Sequence, residues 1–262
     1  MKTLEVLVNP FANNESESPD NIEKKFPAKR DGKLEAAFNK YKRLEYRVEK
    51  LETEEESEKR FMEISKLNPE ILTPAQIEIL LGRIINECPK WKFEDGLTGH
   101  YLSYLVQLSY NVGHNDFHLT VGDSKLDDLL IEVGGLEKNR LKATILGHYN
   151  SDIGRRAKYL DVVVDGRAGH IGIDASHSSF NVHGDVSTMC GWASMYCDFV
   201  IAGDVDEIIR DSQHCTYTIE GKFMGLSKTR ECTFQTHNPE TYEKMKASTK
   251  IRPRGNKVIL LK

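Results

Sequence analysis

The amino-acid sequence predicts an α+β protein in which a helical N-terminal region is followed by a β-solenoid with coils of about 18 residues. Three observations predict it. Short strands close on glycines at a nearly constant period. Apolar and polar residues alternate in the same phase within each of those strands. Ahead of them the apolar residues recur with helical spacing instead.

The glycine register is explicit over residues 143–221. Gly147, Gly166, Gly184, Gly203 and Gly221 each end a short apolar run, and they lie 19, 18, 19 and 18 residues apart. Two residues before them stand Ile145, Val164, Val182, Ile201 and Ile219, all β-branched. Four residues before them stand Ala143, Val162, Phe180, Phe199 and Tyr217, and one residue before them Leu146, Asp165, His183, Ala202 and Glu220. Side chains alternate between the faces of a strand, so this pattern makes two inward ladders and one outward ladder. A second set, Gly154, Gly172 and Gly191, follows six or seven residues later and is trailed by Ala157, Ala175 and Ala193, as a tight corner requires. No helix-length segment separates the strands, which excludes a doubly wound fold. The coils before Gly147 read as compressed, because Gly134 and Gly122 are only 13 and 12 residues from the next glycine.

The elements before the repeat follow from local signals. Residues 1–30 read as a strand and a polar linker, and residues 31–113 as a helical capping or docking region. A long helix is expected through Leu34, Ala37, Tyr41, Leu44, Val48 and Leu51, which hold one heptad seam until Glu54–Glu56 interrupts it. Thr73 and Pro74 are N-cap and N1 of a second helix whose apolar face includes Ile77, Leu80, Leu81 and Ile84, and Pro89 stops it. A third helix is expected from Leu97 to Tyr110. The solenoid spans 114–238, and a C-terminal cap, helical at first, spans 239–262. The ends of the stack are open sheet edges that such caps would cover.

Composition bounds the function. The chain has 262 residues, a net charge of −4, 39% hydrophobic residues and five scattered cysteines. An acidic balance gives no general attraction to nucleic acid, and no apolar run is long enough for a membrane span. Cysteines without a C-x-x-C pair suit free thiols and a cytoplasmic location. No nucleophile elbow, Walker loop, dinucleotide fingerprint or zinc-protease helix is present, and no cofactor is implied.

Three clusters are candidates for chemistry. His170, His177 and His183, with Asp165 and Asp174, crowd neighbouring coils and could serve as a metal or acid–base site if they converge. Asp185 and Asp204 each follow a closing glycine; they suit an Asx turn or, as like charges on adjacent coils, a cation site. Cys197, Cys215 and Cys232 fall in one ladder, read as small buried hydrophobes.

Residues Gly184–Met195 with Val200–Val205 are similar to the GXGXG repeat found in the C-terminal domain of the glutamate synthase large subunit and in a subunit of formylmethanofuran dehydrogenase. Gly166–Gly169, and Gly147 with Gly154, match more loosely, and the resemblance covers about residues 120–225. It implies a right-handed parallel β-helix that holds domains or subunits of a larger enzyme in place, and it supplies no catalytic residue. The sequence is therefore read as a non-catalytic scaffold or interaction module, docking a protein partner or a second copy. The alternative is an enzyme or enzyme subunit of an amido- or formyl-transfer complex with a His/Asp site near His170–His183. A carbohydrate-binding solenoid is disfavoured, because the aromatic ladder turns inward.

Overall fold

The computed structural model describes residues 31–48, 56–88, 96–123, 126–206, 209–251 and 254–262. The strand expected at residues 1–8, its linker and the seam position Leu51 lie outside them. Residues Lys33–Lys262 form one compact unit.

Among the described residues four helices come first: α1 (Gly32–Val48), α2 (Glu56–Lys66), α3 (Pro74–Glu87) and α4 (Leu97–Asn111). In α3 the Thr73 hydroxyl accepts from the Gln76 N–H, and the Gln76 side chain accepts from the Thr73 N–H. This capping box satisfies two of the orphan donors that a helix start leaves. Helix α2 is an additional element in the stretch where the heptad seam fails. Helix α4 is buried on nearly every side, polar Thr98, His100, Ser103 and Ser109 included. Ser103 Oγ donates to Gly99 O within the helix, and Gln107 Oε1 accepts from Gly134 N at 2.7 Å.

The strands are β1 (Asp116–Gly122), β2 (Leu141–Gly147), β3 (Tyr149–Ile153), β4 (Leu160–Asp165), β5 (Ala168–Ile171), β6 (Ser179–Val182), β7 (Asp198–Ile201), β8 (Ile209–Arg210), β9 (Thr216–Ile219), β10 (Leu226–Ser227) and β11 (Thr233–Thr236). Helix α5 (Pro239–Ile251) and strand β12 (Lys257–Leu260) come last. Among the described residues one parallel sheet of eight strands runs in the order β1-β2-β4-β6-β7-β9-β11-β12. The skipped strands and a series of bridges form the other faces: Ala168, Val186, Val205 and Phe223 lie rung over rung on one, and Lys158, Ser176, Met195, Gln213 and Arg230 on another. The fold is a parallel β-solenoid, as the glycine register predicts.

The inward ladders hold as expected. Ile145, Val164, Val182, Ile201 and Ile219 are fully buried, and Phe180, Phe199, Tyr217 and Phe234 stack with ring centroids 5.1, 4.8 and 5.2 Å apart and nearly parallel planes. The glycines serve that stacking in two ways. A Cβ on Gly166 would overlap the Gly147 carbonyl oxygen of the coil below, so close coil approach alone demands glycine there. Gly191 has φ +61°, and a Cβ would run into the Tyr217 hydroxyl.

Two expectations change. The coil before Gly147 is expanded, since β1 pairs with β2 so that Gly122 faces Gly147, 25 residues on. Gly134 is not a closing glycine at all; it bridges Lys158 on a different face. The extra residues form the 126–139 loop, which packs under α4 and donates Ile131 N to Ser103 Oγ. The C-terminal segment does more than cap: α5 buries Met245 in the core, and β12 then joins the main sheet beyond β11.

Candidate functional site

In three successive coils Gly154, Gly172 and Gly191 turn the chain through a corner, and beside that corner lies a cleft of about 430 Å³. One wall is a column of successive rungs. Asp152 of β3 pairs with His170 of β5, and the next rung brings Met189, whose neighbour Cys190 bridges Ile171. The facing column is Arg155, Ile173 and Trp192, each directly after a corner glycine. Arg156 and Asp174 complete the lining, and both have positive φ, +56° and +54°, imposed by the same turn in consecutive coils.

The polar groups are organised around Asp152, whose side chain is only 8% exposed. His170 Nδ1 lies 2.5 Å from Asp152 Oδ1, and Arg155 Nη1 donates to Asp152 Oδ2 at 2.9 Å. A buried carboxylate held by two partners fixes both of them, orienting the imidazole by its Nδ1 and the guanidinium by one edge. Trp192 is held as well: its Nε1 donates to Asp211 Oδ2, and the Arg210 guanidinium lies 4.8 Å over the indole.

Behind the cleft the helical region closes on a second charged group. His100 Nδ1 of α4 donates to Gly96 O at 2.8 Å and lies 3.7 Å from Asp128 Oδ2. Burial holds the His100 imidazole well below its ordinary range, at about 4, and burial pushes the Asp128 carboxyl up.

Of the histidines and aspartates singled out from sequence, the structure brings only His170 and Asp174 into one site. His183 pairs with Asp165 at 3.5 Å on the exposed outward ladder. His177 sits at a different corner, in a surface column where Tyr159, His177, Tyr196 and His214 stack at 5.2, 5.0 and 4.8 Å. This is a second, outward aromatic column, one that the glycine register does not reveal, beside the inward ladder. Its rings cover one another's faces and turn their edges to solvent, so it offers hydroxyls and ring nitrogens rather than a stacking platform. Asp185 and Asp204 act as rungs: Asp185 Oδ1 accepts from Asp204 N at 2.9 Å, and Asp204 Oδ1 from Lys222 N at 2.7 Å. Each carboxylate thus bonds to the coil above instead of making a local Asx turn. Among the described residues no group of three or more His, Cys, Asp or Glu could hold a metal ion.

All five cysteines are free and buried. Cys197, Cys215 and Cys232 form the expected ladder, each thiol donating to a carbonyl two residues earlier, Met195 O, Gln213 O and Arg230 O. Bonding to Cys215 and burial together push the Cys197 and Cys232 thiols up. Among the described residues no helix is long and apolar enough to cross a membrane. Comparison of the chain with family models, curated proteins and solved structures finds no match.

Proposed function

We propose that the chain is a non-catalytic scaffold module, working in the cytoplasm, that docks an extended acidic segment of a partner protein by strand addition at β12. The observation that carries this reading is the asymmetry of the solenoid's two ends. At one end β1 is covered by α3. At the other, β12 is the last strand of the sheet among the described residues, with Ile259 and Leu260 more than 40% exposed. Lys257 N donates to Cys232 O, just before β11, and Leu261 N to Thr236 O at its end, so the alternation of the strand turns the N–H and C=O groups of Val258 and Leu260 outward. Such an edge recruits an extended peptide through its main chain.

Charge selects the occupant. Residues 239–262 carry seven Lys and Arg against two Glu, a net +5 within a chain of net −4. A basic end beside an open edge favours an acidic segment and speeds its encounter. The resemblance to GXGXG-repeat domains, which hold larger enzymes together, and the five free thiols fit the same reading.

The test is a titration with a synthetic peptide of alternating valine and threonine flanked by glutamates, against the same peptide flanked by lysines. Saturable binding of the acidic peptide is expected, weaker as ionic strength rises from about 0.05 to about 0.5 M. Leu260→Pro removes an outward N–H at a position where proline is compatible with an edge strand, and should abolish binding while the fold persists. Binding of neither peptide, or equal binding of both, refutes the proposal. A dimer by light scattering that Leu260→Pro dissociates would make the occupant a second copy instead.

A second reading, as a subunit of an amido- or formyl-transfer enzyme, is favoured by the Asp152–His170 pair, the arrangement that orients a general base. No serine, threonine, cysteine or lysine is among the residues lining the cleft, so the pair would act on a substrate proton rather than activate a nucleophile of the chain.

A further inference from the structure

We propose that the corner cleft is a binding site for a small oxyanion carried on a flat ring, a carboxylate or phosphate on an aromatic group. This site is separate from the β12 edge and does not depend on it.

The cleft's volume, about 430 Å³, falls within the range of small-molecule sites, and its lining has their composition: an apolar wall with a few fixed polar groups. Trp192, Ile173 and Met189 supply the wall. The indole is locked by its bond to Asp211 and by Arg210 over its ring, so a ligand does not have to order it.

The polar groups favour an anion. Arg155 uses Nη1 on Asp152, and its side chain stays 30% exposed, so the guanidinium also faces solvent. Arg156 is half exposed and, among the described residues, commits only Nη1, to Glu132 at 3.2 Å. Two guanidinia at one cleft suit the planar, two-pronged recognition of carboxylate and phosphate. Both Asp152 oxygens are already engaged, by His170 Nδ1 and Arg155 Nη1, which weakens its opposition to an anion. Asp174 is exposed at the rim and does oppose it, which makes it the residue whose neutralisation should strengthen binding.

The periodicity of the solenoid gives the site its shape. Asp152, His170 and Met189 occupy one column and Arg155, Ile173 and Trp192 the other, each a rung apart by about 4.8 Å. The charged rung lies toward the helical cap and the indole two coils away. The anion is therefore expected against Arg155 and Arg156, and the ring along Ile173 toward Trp192.

The test uses the full chain carrying Trp91→Phe, which leaves Trp192 as the single tryptophan. Benzoate, phenyl phosphate, inorganic phosphate and benzyl alcohol are titrated by calorimetry and Trp192 fluorescence. Benzoate or phenyl phosphate should bind with one-to-one stoichiometry and change Trp192 emission, and which of them binds tighter identifies the oxyanion. Inorganic phosphate should bind at least about tenfold more weakly, a difference of about 1.4 kcal/mol, and benzyl alcohol should not saturate. Arg156→Met and Trp192→Leu should each weaken binding by about tenfold or more with the circular dichroism unchanged, and Asp174→Asn should tighten it by about threefold. Arg155→Met is a less clean variant because it strips Asp152 of a partner, so Arg156→Met and Trp192→Leu decide the outcome. Absence of saturable binding by either ring-bearing anion overturns the proposal. So does binding that Arg156→Met and Trp192→Leu leave unchanged, or inorganic phosphate binding as tightly as phenyl phosphate.

Discussion

Replacing Phe199 with alanine removes the middle of the buried aromatic stack. Phe199 is fully buried, with Phe180 at 5.1 Å on one side and Tyr217 at 4.8 Å on the other, and the planes lie within 10° of parallel. Truncating a buried Phe to Ala costs about 3–5 kcal/mol through lost transfer energy and the cavity left behind. This site belongs at the upper end, because both ring neighbours lose a stacking partner worth about 0.5–1.5 kcal/mol beyond area. The glycines that make room for the rings cannot move in to refill the space, since Gly172 and Gly191 are fixed by their turns at φ +64° and +61°. Against a typical total of about 5–15 kcal/mol, the loss is a large share of the stability. With a urea m-value near about 3 kcal/mol/M, the midpoint should fall by about 1.3–1.7 M. The assay is urea unfolding followed by circular dichroism. Val200→Ala serves as the control: Val200 is the next residue, points outward and is 41% exposed, and its truncation should cost within about 0.5 kcal/mol. If Phe199→Ala moves the midpoint no further than Val200→Ala, the rings are not stacked in a packed interior and the inward ladder is refuted.

His183→Ala should change stability by less than about 0.5 kcal/mol, because its pair with Asp165 is half exposed on both sides; urea midpoints check this. None of the five cysteines should react with a thiol reagent in the native protein, and all five should react in denaturant, since none is more than 9% exposed. Gly191→Ala should destabilise by at least about 2 kcal/mol in thermal melts, from a left-handed backbone and a clash with Tyr217. His100 governs acid stability. Its folded pKa is depressed to about 4 from an ordinary 6.5, so the unfolded chain binds more protons between these values. Stability is therefore full above about pH 6.5, falls as the pH drops toward 4 by roughly 3 kcal/mol, and levels off below. His100→Asn should flatten the wild-type slope in that window, whereas an unchanged slope would show that His100 does not set it. The raised Asp128 carboxyl works in the opposite sense, losing stability as pH rises through its own titration.

The main sheet is legible in the sequence because each coil repeats one chemical pattern in one phase. Ile145 through Ile219 need to be β-branched and inward in every coil, and the closing glycines are demanded by contact with the coil below. The first coil hides because it obeys a different constraint: its 126–139 loop is shaped by α4, with Ser103 and Gln107 taking its amides. The cleft hides for another reason. Its columns repeat in position but not in chemistry, as Asp152, His170 and Met189 share a rung register and nothing else. One signal is present, the separation of Asp152 and His170 by one coil length of 18 residues. The same spacing links Tyr159, His177, Tyr196 and His214, whose outward stack is invisible to glycine-anchored strands alone. Helix α2 is not legible where the heptad seam stops, since its side of the molecule is set by packing against α4.

Successive coils stack rung over rung from β1 to β12, and on that stacking everything else depends. Spin labels at the exposed positions Asp116, Asp198 and Lys257 test it directly, because the register places them on the first, fifth and eighth strands of one sheet. At about 4.8 Å per rung, pulsed electron resonance should give about 19 Å for Asp116→Cys with Asp198→Cys and about 34 Å for Asp116→Cys with Lys257→Cys, before label length is added. Distances that fail to grow with the number of intervening strands would contradict the solenoid.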